Sequence, residues 1–510
     1  MGDEGFYVTS AIPYVNAEPH VGTAYGHVAC DVVARYHRLR GEEVFFLTGT
    51  DEHSLNVARS SAEQGITPQE WVDRMVPKWM EVWRRLDISF DDFIRTSEPR
   101  HAERVRSFVQ RLHDRGELSL GFYEGPYCVS CEEFKQEKEL VDGNCPIHLR
   151  PVEYLKEENW FFPLSAYREK LLALYEEHPE FVKPETRRNE VVSFVAGGLQ
   201  DLSISRSGSD WGIPLPWDEG HVVYVWVDAL LNYITAPGFG TDDPLFERVW
   251  PADVQIIGKD ITRFHAVIWP ALLMAAGLEV PKTVLAHGFL YLGGEKMSKS
   301  RGTGIHPFEL LDRFGPDSYR YYFMREIPFG QDGNYSQDSM VDRHNADLAN
   351  GLGNLASRVL AMLASNYGGV VPDANDPAEA GALPALAADV VARSHLAMED
   401  LALTTALATV WEIVTEANRY LVERAPWKLA KEPDRAEELA KVLYASAEVL
   451  RILAVLISPV MPDAAARLWD QLGIPGPLEA QRLPDAADWG GLAPGTKTTK
   501  GESLFPRLDA

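Results

Sequence analysis

The first fifty residues alternate between strand and helix patterns, and this alternation constrains the fold more than any other feature of the chain. A β-branched and aromatic run at 6–15 (FYVTSAIPYV) precedes a helical pattern at 24–41, and a second strand pattern follows at 43–50 (EVFFLTGT). Consecutive strands joined by a helix are normally parallel neighbours in one sheet. The alternation returns at 221–302. The sequence therefore predicts an α/β protein with a Rossmann-like parallel sheet.

Residues 118–215 break into short strand patterns and turns, which indicates an insert that splits this sheet. From about residue 340 onward, apolar residues recur at i, i+3, i+4 and i+7, as expected for an all-α helical bundle. The predicted divisions are 1–117 and 216–295 for the two halves of the sheet domain, 118–215 for the insert, 296–347 for a loop and connecting region, 348–492 for the helical domain and 493–510 for a tail. The composition of the tail alone favours a flexible segment.

The insert carries a strong metal-binding pattern. Its spacing is C-x2-C-x13-C-x2-H, and the four candidate ligands are Cys128, Cys131, Cys145 and His148. The residues VDGN at 141–144 have the chemistry of a tight hairpin turn, which would bring the two halves together. Four protein ligands leave no open coordination position, so we expect one structural zinc and no catalytic metal in this insert.

Composition narrows the class of protein. The net charge of -26 argues against bulk attraction to nucleic acid, although a local basic groove stays possible. No apolar stretch approaches the length of a membrane span, and the acidic start MGDEGFYV is unlike a signal peptide. We therefore expect a cytoplasmic protein without a membrane partner. The fourth cysteine, Cys30, is expected to be a small buried hydrophobe.

Two short motifs carry candidate chemistry. PHVGT at 19–23 lies where the first strand turns into a helix, and the free N–H groups of a helix N-terminus favour phosphate. There Gly22 would let a ligand approach the backbone and His20 could donate to a phosphate oxygen, although such a motif alone is more often a plain turn. GGEKMSKSRG at 293–302 sets Lys296 and Lys299 in a loop that either neutralises phosphate charge or is merely a solvated surface.

Residues 296–300 spell KMSKS, which resembles the second signature of class I aminoacyl-tRNA synthetases, and PHVGT resembles their first signature, usually written HIGH. Thr23 departs from that pattern, which has a second histidine there. Whether His27, one turn further on, reaches the phosphates is open. The segments AIPYVN, LTGTDEH, YVWVDALLNY, IIGKDITRFHAVIWP, NLASR and APW are similar to methionyl-tRNA synthetases of the bacterial type with a single zinc knuckle, over about 5–470.

The resemblance implies a ligase that activates methionine with ATP and transfers it to methionine tRNA, both initiator and elongator. It implies Mg²⁺ with ATP, one structural Zn²⁺ and a monomer. The sheet halves would be catalytic, 296–347 would hold the KMSKS loop and stem contacts, and 348–492 would bind the anticodon. The family also suggests that the tail packs back onto the catalytic domain.

By the same resemblance, the sites fall on residues of this sequence that match the family motifs. The implied catalytic residues are His20, Gly22, Thr23, Lys296 and Lys299, which also bind ATP together with Gly258 and Asp260. The implied methionine site comprises Ala11, Ile12, Tyr14, Asp51, Trp226, Ala229, Leu230, Tyr233, Ile261, His265 and Trp269. The implied anticodon contacts are Asn354, Arg358 and Trp427.

The residues by themselves leave simpler interpretations open. Asp51 and Asp260 are equally suited to helix caps, and the i, i+4, i+8 spacing of Ile261, His265 and Trp269 is also that of a buried helix face. For the proposed anticodon residues, the alternatives are that Trp427 packs in the core and that Asn354 and Arg358 are solvated or cap a helix. At the level of function, the alternatives are a related class I synthetase for another amino acid and an inactive tRNA-binding scaffold.

Overall fold

The structure is a computed structural model that describes residues 5–129, 132–146, 149–207, 209–292, 295–296 and 305–509. Its strands are β1 Phe6–Ser10, β2 Val44–Thr50, β3 Asp92–Arg95, β4 Ser119–Cys128, β5 Glu133–Phe134, β6 Glu153–Phe162, β7 Val182–Lys183, β8 Leu202–Ser203, β9 Ser205–Ser207, β10 Pro214–Leu215, β11 Asp218–Val223, β12 Val254–Gly258, β13 Thr283–His287, β14 Leu290–Leu292, β15 Glu295–Lys296 and β16 Gly333–Tyr335.

Helices cover both faces of the sheet and form most of the second half of the chain. They are α1 Val21–Leu39, α2 Leu55–Glu63, α3 Pro68–Arg85, α4 Pro99–Asp114, α5 Arg168–Glu177, α6 Glu185–Ala196, α7 Val225–Thr235, α8 Pro244–Val249, α9 Trp269–Ala276, α10 Pro307–Glu326, α11 Gln337–Arg343, α12 Asn354–Tyr367, α13 Leu383–Glu399, α14 Leu403–Arg424, α15 Pro426–Leu429, α16 Ala436–Ile457 and α17 Pro462–Leu472. None of the described helices is long and apolar enough to cross a membrane.

The central sheet has six parallel strands in the order β3-β2-β1-β12-β13-β7. In the middle of it, Val8 of β1 pairs with Val254 of β12 on one side and with Phe46 of β2 on the other. The chain leaves β1 toward one edge of the sheet and leaves β12 toward the other. Such a switch point opens a crevice at the carboxyl ends of the two central strands, where open α/β sheets bind ligands. The predicted parallel sheet is confirmed, and so is the helical domain that follows it.

The region predicted as an insert contains a long antiparallel hairpin of β4 and β6, with β5 and β8 at its sides. One piece of the same region belongs to the central sheet, because Val182 of β7 pairs with Val284 of β13. A two-residue strand at this position covers the backbone edge that β13 would otherwise expose.

A buried arginine joins the two halves of the chain. Arg320 of α10 is fully buried, and its guanidinium donates to Asp31 of α1 at 2.5 Å. It also donates to the carbonyls of Leu86, Pro459 and Val460 at 3.0, 2.9 and 2.7 Å. A guanidinium can be buried when its donors are paired in this way. The junction therefore fixes the turn before α17 against the first helix of the sheet domain.

The tail is ordered, contrary to the flexibility that its composition favours. Leu504 and Phe505 are buried, because they pack into the apolar core beside α12 and α17. Nε2 of His344 lies 2.8 Å from the carbonyl of Pro506, and Asn345 exchanges two hydrogen bonds of 2.9 Å with the backbone of Leu508. Apolar burial and backbone pairing together outweigh the entropy of ordering this segment.

Candidate active site

His20 caps the helix that begins at the switch point. It is the N-cap of α1, and its Nδ1 accepts a hydrogen bond of 3.0 Å from the main-chain N–H of Gly22. Since Nδ1 is the acceptor, the ring proton of the neutral tautomer lies on Nε2. A Cβ on residue 22 would stand 2.9 Å from Cε1 of His20, so only glycine leaves room for this ring. The pair therefore places an N–H donor at the positive end of a helix dipole.

His27 lies one turn further along α1 but belongs to the interior. Its Nδ1 is 3.0 Å from the carbonyl of Thr23 and its Nε2 is 3.0 Å from Oγ1 of Thr48, while its ring stacks on Trp83 with centroids 4.0 Å apart. Burial lowers the pKa of His27 to about 4. It is neutral at physiological pH and both of its nitrogens are engaged inside the protein. The geometry gives it no path to a phosphate.

Gly26 lets α1 approach the end of β13 closely, and Gly258 leaves room for the side chain of Asp260 after β12. A Cβ on Gly26 would lie 2.9 Å from Nε2 of His287, and a Cβ on Gly258 would lie 2.7 Å from Oδ1 of Asp260. Asp260 lies inside a short 3-10 turn after β12 whose N-cap residue is Gly258, so Asp260 is not the N-cap of that turn. His287 was not singled out from the sequence, although the AHG ending of a strand pattern is the signal that could have found it.

Tyr233 and His265 form a buried polar pair. Nδ1 of His265 lies 3.0 Å from the carbonyl of Ile261 and must donate to it, so Nε2 accepts from the Tyr233 hydroxyl at 2.8 Å. Burial lowers the pKa of His265 to about 4, which keeps it neutral. The histidine lies in a π-helical turn, Phe264–Ile268, and not in the regular helix that the i, i+4 spacing assumed. Such turns recur at functional sites because they redirect a side chain.

Asp51 follows β2 and is buried. The N-cap of the next helix, α2, is Ser54, so Asp51 is not its cap. Its Oδ1 has no hydrogen-bond partner within the described ranges. Burial raises its pKa well above the usual range, and the nearby charges of Asp228, Glu132 and Glu52 raise it further. A carboxylate held in this way is suited to a cationic partner supplied by a ligand.

Tyr14 pairs with Asp51 through a parallel bridge between their backbones. Its hydroxyl is buried and, among the residues that the structure describes, lacks a hydrogen-bond partner. Burial raises the pKa of Tyr14, as do the neighbouring charges of Glu132 and Asp51. The ring meets Trp226 edge-on at 6.0 Å.

The remaining residues predicted for that site are those that would form its apolar wall. Trp226 stacks on Phe264 at 3.9 Å, and Trp269 is buried 6.1 Å from Tyr233. The indole nitrogen of Trp269 has no partner in the described part of the chain. Buried members of the wall are Ala229 and Leu230, and partly buried members are Ala11, Ile12 and Ile261.

A buried hydrogen-bonded network around Asp228 was not predicted from the sequence. The carboxylate of Asp228 lies 2.7 Å from Nδ1 of His53 and 2.7 Å from Nε2 of His101, and Nδ1 of His101 lies 2.7 Å from Oγ1 of Thr235. Burial opposes ionisation of Asp228, but His53 and His101 lower its pKa. The partners are 127 and 175 residues apart, so no local pattern could reveal them. The network ties the TGTDEH segment to α7.

The KMSKS segment lies largely outside the described residues. The backbone of Lys296 pairs with Tyr291 in the two-residue strand β15, whereas Lys299 lies outside the described ranges. Beyond the segment, the carbonyl of Ile305 accepts a hydrogen bond of 3.0 Å from the main-chain N–H of Val21, the first residue of α1. Ile305, five positions beyond the KMSKS segment, is thereby attached beside His20.

The metal pattern is described in part. Cys128 and Cys145 are both buried, whereas Cys131 and His148 lie outside the described residues. The predicted turn at 141–144 is present, since Asp142 and Gly143 have φ of 51° and 76°, the left-handed pair of a type I′ turn. Buried thiols beside a tight turn suit a structural zinc.

The three proposed anticodon residues lie close to one another on the helical domain. Asn354 is exposed at the start of α12, and Arg358 follows it by one helical turn. The guanidinium carbon of Arg358 lies 5.2 Å from the ring centroid of Trp427, which is 40% exposed. The tryptophan is therefore a surface residue and not a core one. An exposed indole beside a guanidinium is a stacking platform for an unpaired base.

Known proteins resemble the chain throughout its length. A family model described as "tRNA synthetases class I (M)" matches residues 6–151 and 147–360, and the model "Anticodon binding domain of methionyl tRNA ligase" matches residues 371–510. A methionine–tRNA ligase of Streptomyces coelicolor is 52% identical over 100% of this chain and 98% of its own length. One from Caldanaerobacter subterraneus is 47% identical over 99% of this chain and 79% of its own length.

Solved structures agree with these matches. The Mycobacterium tuberculosis methionyl-tRNA synthetase in complex with methionyl-adenylate is 46% identical, with a TM-score of 0.93 over 99% of this chain and 100% of its own. The apo form of that enzyme has a TM-score of 0.86 at 43% identity, over 100% of this chain and 99% of its own. Each of these two matches covers at least 99% of this chain and at least 99% of the solved chain. The chain therefore belongs to the methionyl-tRNA synthetase family of class I tRNA synthetases.

Proposed function

We propose that this chain is a methionine–tRNA ligase that works in two steps at the carboxyl ends of β1, β2 and β12. In the first step, a carboxylate oxygen of L-methionine attacks the α-phosphorus of ATP, the bond to the bridging oxygen breaks, and pyrophosphate leaves. In the second step, a ribose hydroxyl of the terminal adenosine of methionine tRNA attacks the carbonyl carbon of methionyl-adenylate, and AMP leaves. The first step needs positioning and charge stabilisation but no nucleophile from the protein.

The observation that carries the proposal is the buried carboxylate of Asp51. Its unpartnered Oδ1 and its raised pKa mark a group that is destabilised until a cation binds beside it. The ammonium group of an amino acid supplies such a cation, and its hydrogen bonds would restore the ionised form. Tyr14 lies next to Asp51 with an unpartnered hydroxyl among the described groups, so it is the second candidate contact.

The side-chain pocket is suited to a thioether. Sulfur is polarizable and gains about 0.3–1.5 kcal/mol from contact with an aromatic ring. Trp226, Trp269 and Tyr233 supply three such rings within the wall. Because Tyr233 already donates to His265, its hydroxyl oxygen keeps acceptor capacity but offers no free proton. We infer that the pair fixes the shape and polarity of the pocket, with Ala11, Ile12, Ala229, Leu230 and Ile261 as its apolar lining.

The phosphates of ATP would lie at the start of α1. His20 offers Nε2–H there, Gly22 provides the close approach, and Thr23 adds a hydroxyl in the first turn. Lys296 and Lys299 would approach from the KMSKS segment, because Ile305, which follows that segment in the chain, is hydrogen-bonded to Val21. Gly258 and Asp260 are the proposed contacts to the nucleoside, since Gly258 ends β12 and Asp260 lies in the turn that follows it. Mg²⁺ is proposed to enter with ATP, because it is usually bound through substrate phosphates with one or two carboxylates and several waters.

Selection of methionine tRNA is proposed for the helical domain. Trp427 would stack on an anticodon base, while Arg358 and Asn354 would hydrogen-bond to base edges. The cation–π contact between Arg358 and Trp427 supports this because it holds both groups at one exposed point. The proposal covers both the initiator and the elongator methionine tRNA. A ligase that supplies translation would act in the cytoplasm, and we propose that it acts as a monomer.

One zinc ion is proposed for Cys128, Cys131, Cys145 and His148. With four protein ligands it would stabilise the turns of the insert and take no part in the chemistry. Metal analysis of the purified protein should give one zinc per chain, and Cys145→Ser should lower the zinc content and the melting temperature together. Full stability of the protein after complete removal of zinc would contradict a structural role.

Methionine-dependent exchange of pyrophosphate into ATP, followed by aminoacylation of methionine tRNA, tests the proposal. Exchange with methionine and none with leucine, isoleucine, valine or cysteine is the expected result. Exchange driven by another amino acid would identify a related ligase. Tight tRNA binding without exchange would instead indicate a scaffold, and either result overturns the proposal.

A further inference from the structure

His287 ends β13, the neighbour of β12 in the central sheet, and the ligase mechanism proposed above gives it no role. Its Nδ1 lies 2.9 Å from the carbonyl oxygen of Gly288 and must donate to it, because a carbonyl can only accept. In the neutral ring, Nε2 is then an acceptor. Burial lowers the pKa of His287 below its usual value, although Asp260 opposes this, so the neutral ring predominates at physiological pH.

The Nε2 acceptor of His287 has no hydrogen-bond partner within the described part of the chain, and the residue is partly exposed to solvent. A Cβ on Gly26 would lie 2.9 Å from Nε2 and 3.3 Å from Cδ2 of this ring. Because residue 26 is glycine, α1 places no side chain against the nitrogen. The acceptor is therefore available to a ligand that enters the crevice at the carboxyl ends of the central strands.

A second acceptor lies near the same point of the crevice. A Cβ on Gly258 would lie 2.7 Å from Oδ1 of Asp260 and 3.9 Å from Cε1 of His287, the ring carbon bonded to Nε2. The charge of Asp260 also raises the pKa of His287, in agreement with this proximity. A carboxylate oxygen and an imidazole nitrogen thus lie close together at the end of β12. This arrangement suits a ligand that presents two neighbouring hydrogen-bond donors.

Of the parts of ATP, the ribose fits this pair of acceptors best. Its 2′- and 3′-hydroxyls are adjacent donors, whereas the triphosphate offers acceptors and negative charge, which Asp260 would repel. The phosphates are proposed at the start of α1, where His20 precedes Gly26 by six residues, or roughly 9 Å of helix. That separation leaves the ribose beside His287.

We propose that Nε2 of His287 accepts a hydrogen bond from a ribose hydroxyl of ATP and so makes the site selective for ribonucleotides. The inference rests on the proposed function, which places ATP at this crevice. His287 binds the substrate and sets its specificity, but it transfers no proton and forms no bond to the reacting phosphorus. Loss of one neutral hydrogen bond is expected to weaken the use of ATP about three- to tenfold.

The test compares ATP, 2′-deoxy-ATP and 3′-deoxy-ATP in methionine-dependent pyrophosphate exchange by the full-length chain. The unmodified chain should prefer ATP over one of the two analogues by about three- to tenfold in kcat/KM. His287→Leu removes the acceptor, so kcat/KM for ATP should fall by the same factor, whereas that for the disfavoured analogue should change less than about twofold. The KM for methionine should stay the same. His287→Gln, whose amide oxygen can replace Nε2 as an acceptor, should restore part of the preference.

Gly26→Ala is a second variant, which leaves His287 in place. Its Cβ would stand 2.9 Å from Nε2 and should displace the ring or cover the nitrogen, so the preference for ATP should fall as in His287→Leu. The matched control is His178→Leu, the same change at an exposed histidine whose ring contacts Glu180. This control should behave as the unmodified chain does, and melting temperatures verify that all variants are folded.

A preference for ATP that survives in His287→Leu would overturn the proposal, and so would the absence of any preference in the unmodified chain. An equal loss with all three nucleotides would also overturn it, because the base or the fold would then be affected. Calorimetric titration of ATP and the two analogues repeats the comparison without catalysis. A calorimetric preference that depends on His287, together with no methionine-dependent exchange, would contradict the proposed function and leave this inference standing.

Discussion

The main-chain N–H of Val21 donates a hydrogen bond of 3.0 Å to the carbonyl of Ile305. Val21 is the first residue of α1 and follows His20, while Ile305 follows the lysine-bearing KMSKS segment in the chain. This backbone contact thus joins the first signature to a residue five positions beyond the second signature, whose first lysine is 276 positions from His20. Its removal should affect phosphate chemistry more than folding.

Val21→Pro removes this donor while leaving the helix intact. Proline is well tolerated at the first position of a helix, and His20 already has the extended backbone that a residue before proline requires. One neutral hydrogen bond contributes about 0.5–1.5 kcal/mol, so we expect pyrophosphate exchange to fall by up to about tenfold. Val21→Ala keeps the N–H and is the control. A larger loss of exchange in the alanine variant would show that packing, and not the hydrogen bond, matters here.

Substitutions at Thr23 and His27 are expected to have different effects, one on activity and the other on stability. His27→Ala leaves Thr48 without its imidazole partner and removes the ring that stacks on Trp83, so the free energy of unfolding should fall by about 1–3 kcal/mol. Thr23→Ala, in contrast, should reduce exchange about three- to tenfold with little change in stability. Denaturant unfolding and exchange kinetics on both variants check this. A specific collapse of exchange in a well-folded His27→Ala protein would contradict the interior role of that histidine.

Asp51→Asn should remove an electrostatic cost from the folded state and should also weaken the use of methionine. The folded pKa of Asp51 is raised, so the native state holds more protons than the unfolded state above the ordinary pKa of about 4, and stability falls as pH rises through that window. The amide removes this cost, and the melting temperature at neutral pH should rise by on the order of 1 °C. The kcat/KM for methionine should fall roughly 10- to 100-fold, because the ammonium loses a charged partner.

Calorimetry provides the direct measurement for Asp51. If a bound ammonium lowers the raised pKa, methionine binding releases protons and strengthens with pH across the window in which the free carboxyl is protonated. Buffers with different ionisation enthalpies report the number of protons released. The Asp51→Asn protein serves as the reference and should release none. Equal proton release from both proteins would assign the titration to another group.

Trp427→Ala should impair aminoacylation of tRNA and should leave the activation of methionine unchanged. Stacking of a base on an aromatic side chain contributes about 1–3 kcal/mol, so kcat/KM for methionine tRNA should fall roughly 10- to 100-fold. Methionine-dependent exchange should be unchanged, since Trp427 lies on the helical domain. Val422→Ala, which truncates another exposed apolar residue of that domain, is the control and should have no effect on aminoacylation. A parallel loss of exchange would indicate a structural role for the tryptophan.

The sequence predicted strands, helices and turns where these depend mainly on neighbouring residues. The strand and helix alternation of the first fifty residues reappears as β1, α1 and β2, and the Asp142–Gly143 pair adopts the left-handed turn that its chemistry favours. Spacing was less reliable for His265, because a π-helical turn replaces the regular helix on which the argument relied. The hydrogen bond between His265 and the Ile261 carbonyl nevertheless keeps these two residues together.

Contacts between residues that are far apart in the chain could not be predicted from the sequence. Asp228 meets His53 and His101 only because α7, α4 and the end of β2 converge in the folded chain. The interior position of His27 depends likewise on Thr48 and Trp83, which come from other elements. The roles of the site residues rest on the resemblance to the family and stay predictions, which the variants above are designed to test.

The burial of Arg320 has a consequence for how the protein unfolds. If either the sheet domain or the helical domain opened alone, this guanidinium would lose Asp31 or the carbonyls of Pro459 and Val460 while the rest of its surroundings stayed dry. Breaking a buried pair on one side costs about 3–5 kcal/mol, which disfavours partly opened states. The chain is therefore expected to melt in a single cooperative transition, with the calorimetric and van't Hoff enthalpies equal, despite its 510 residues.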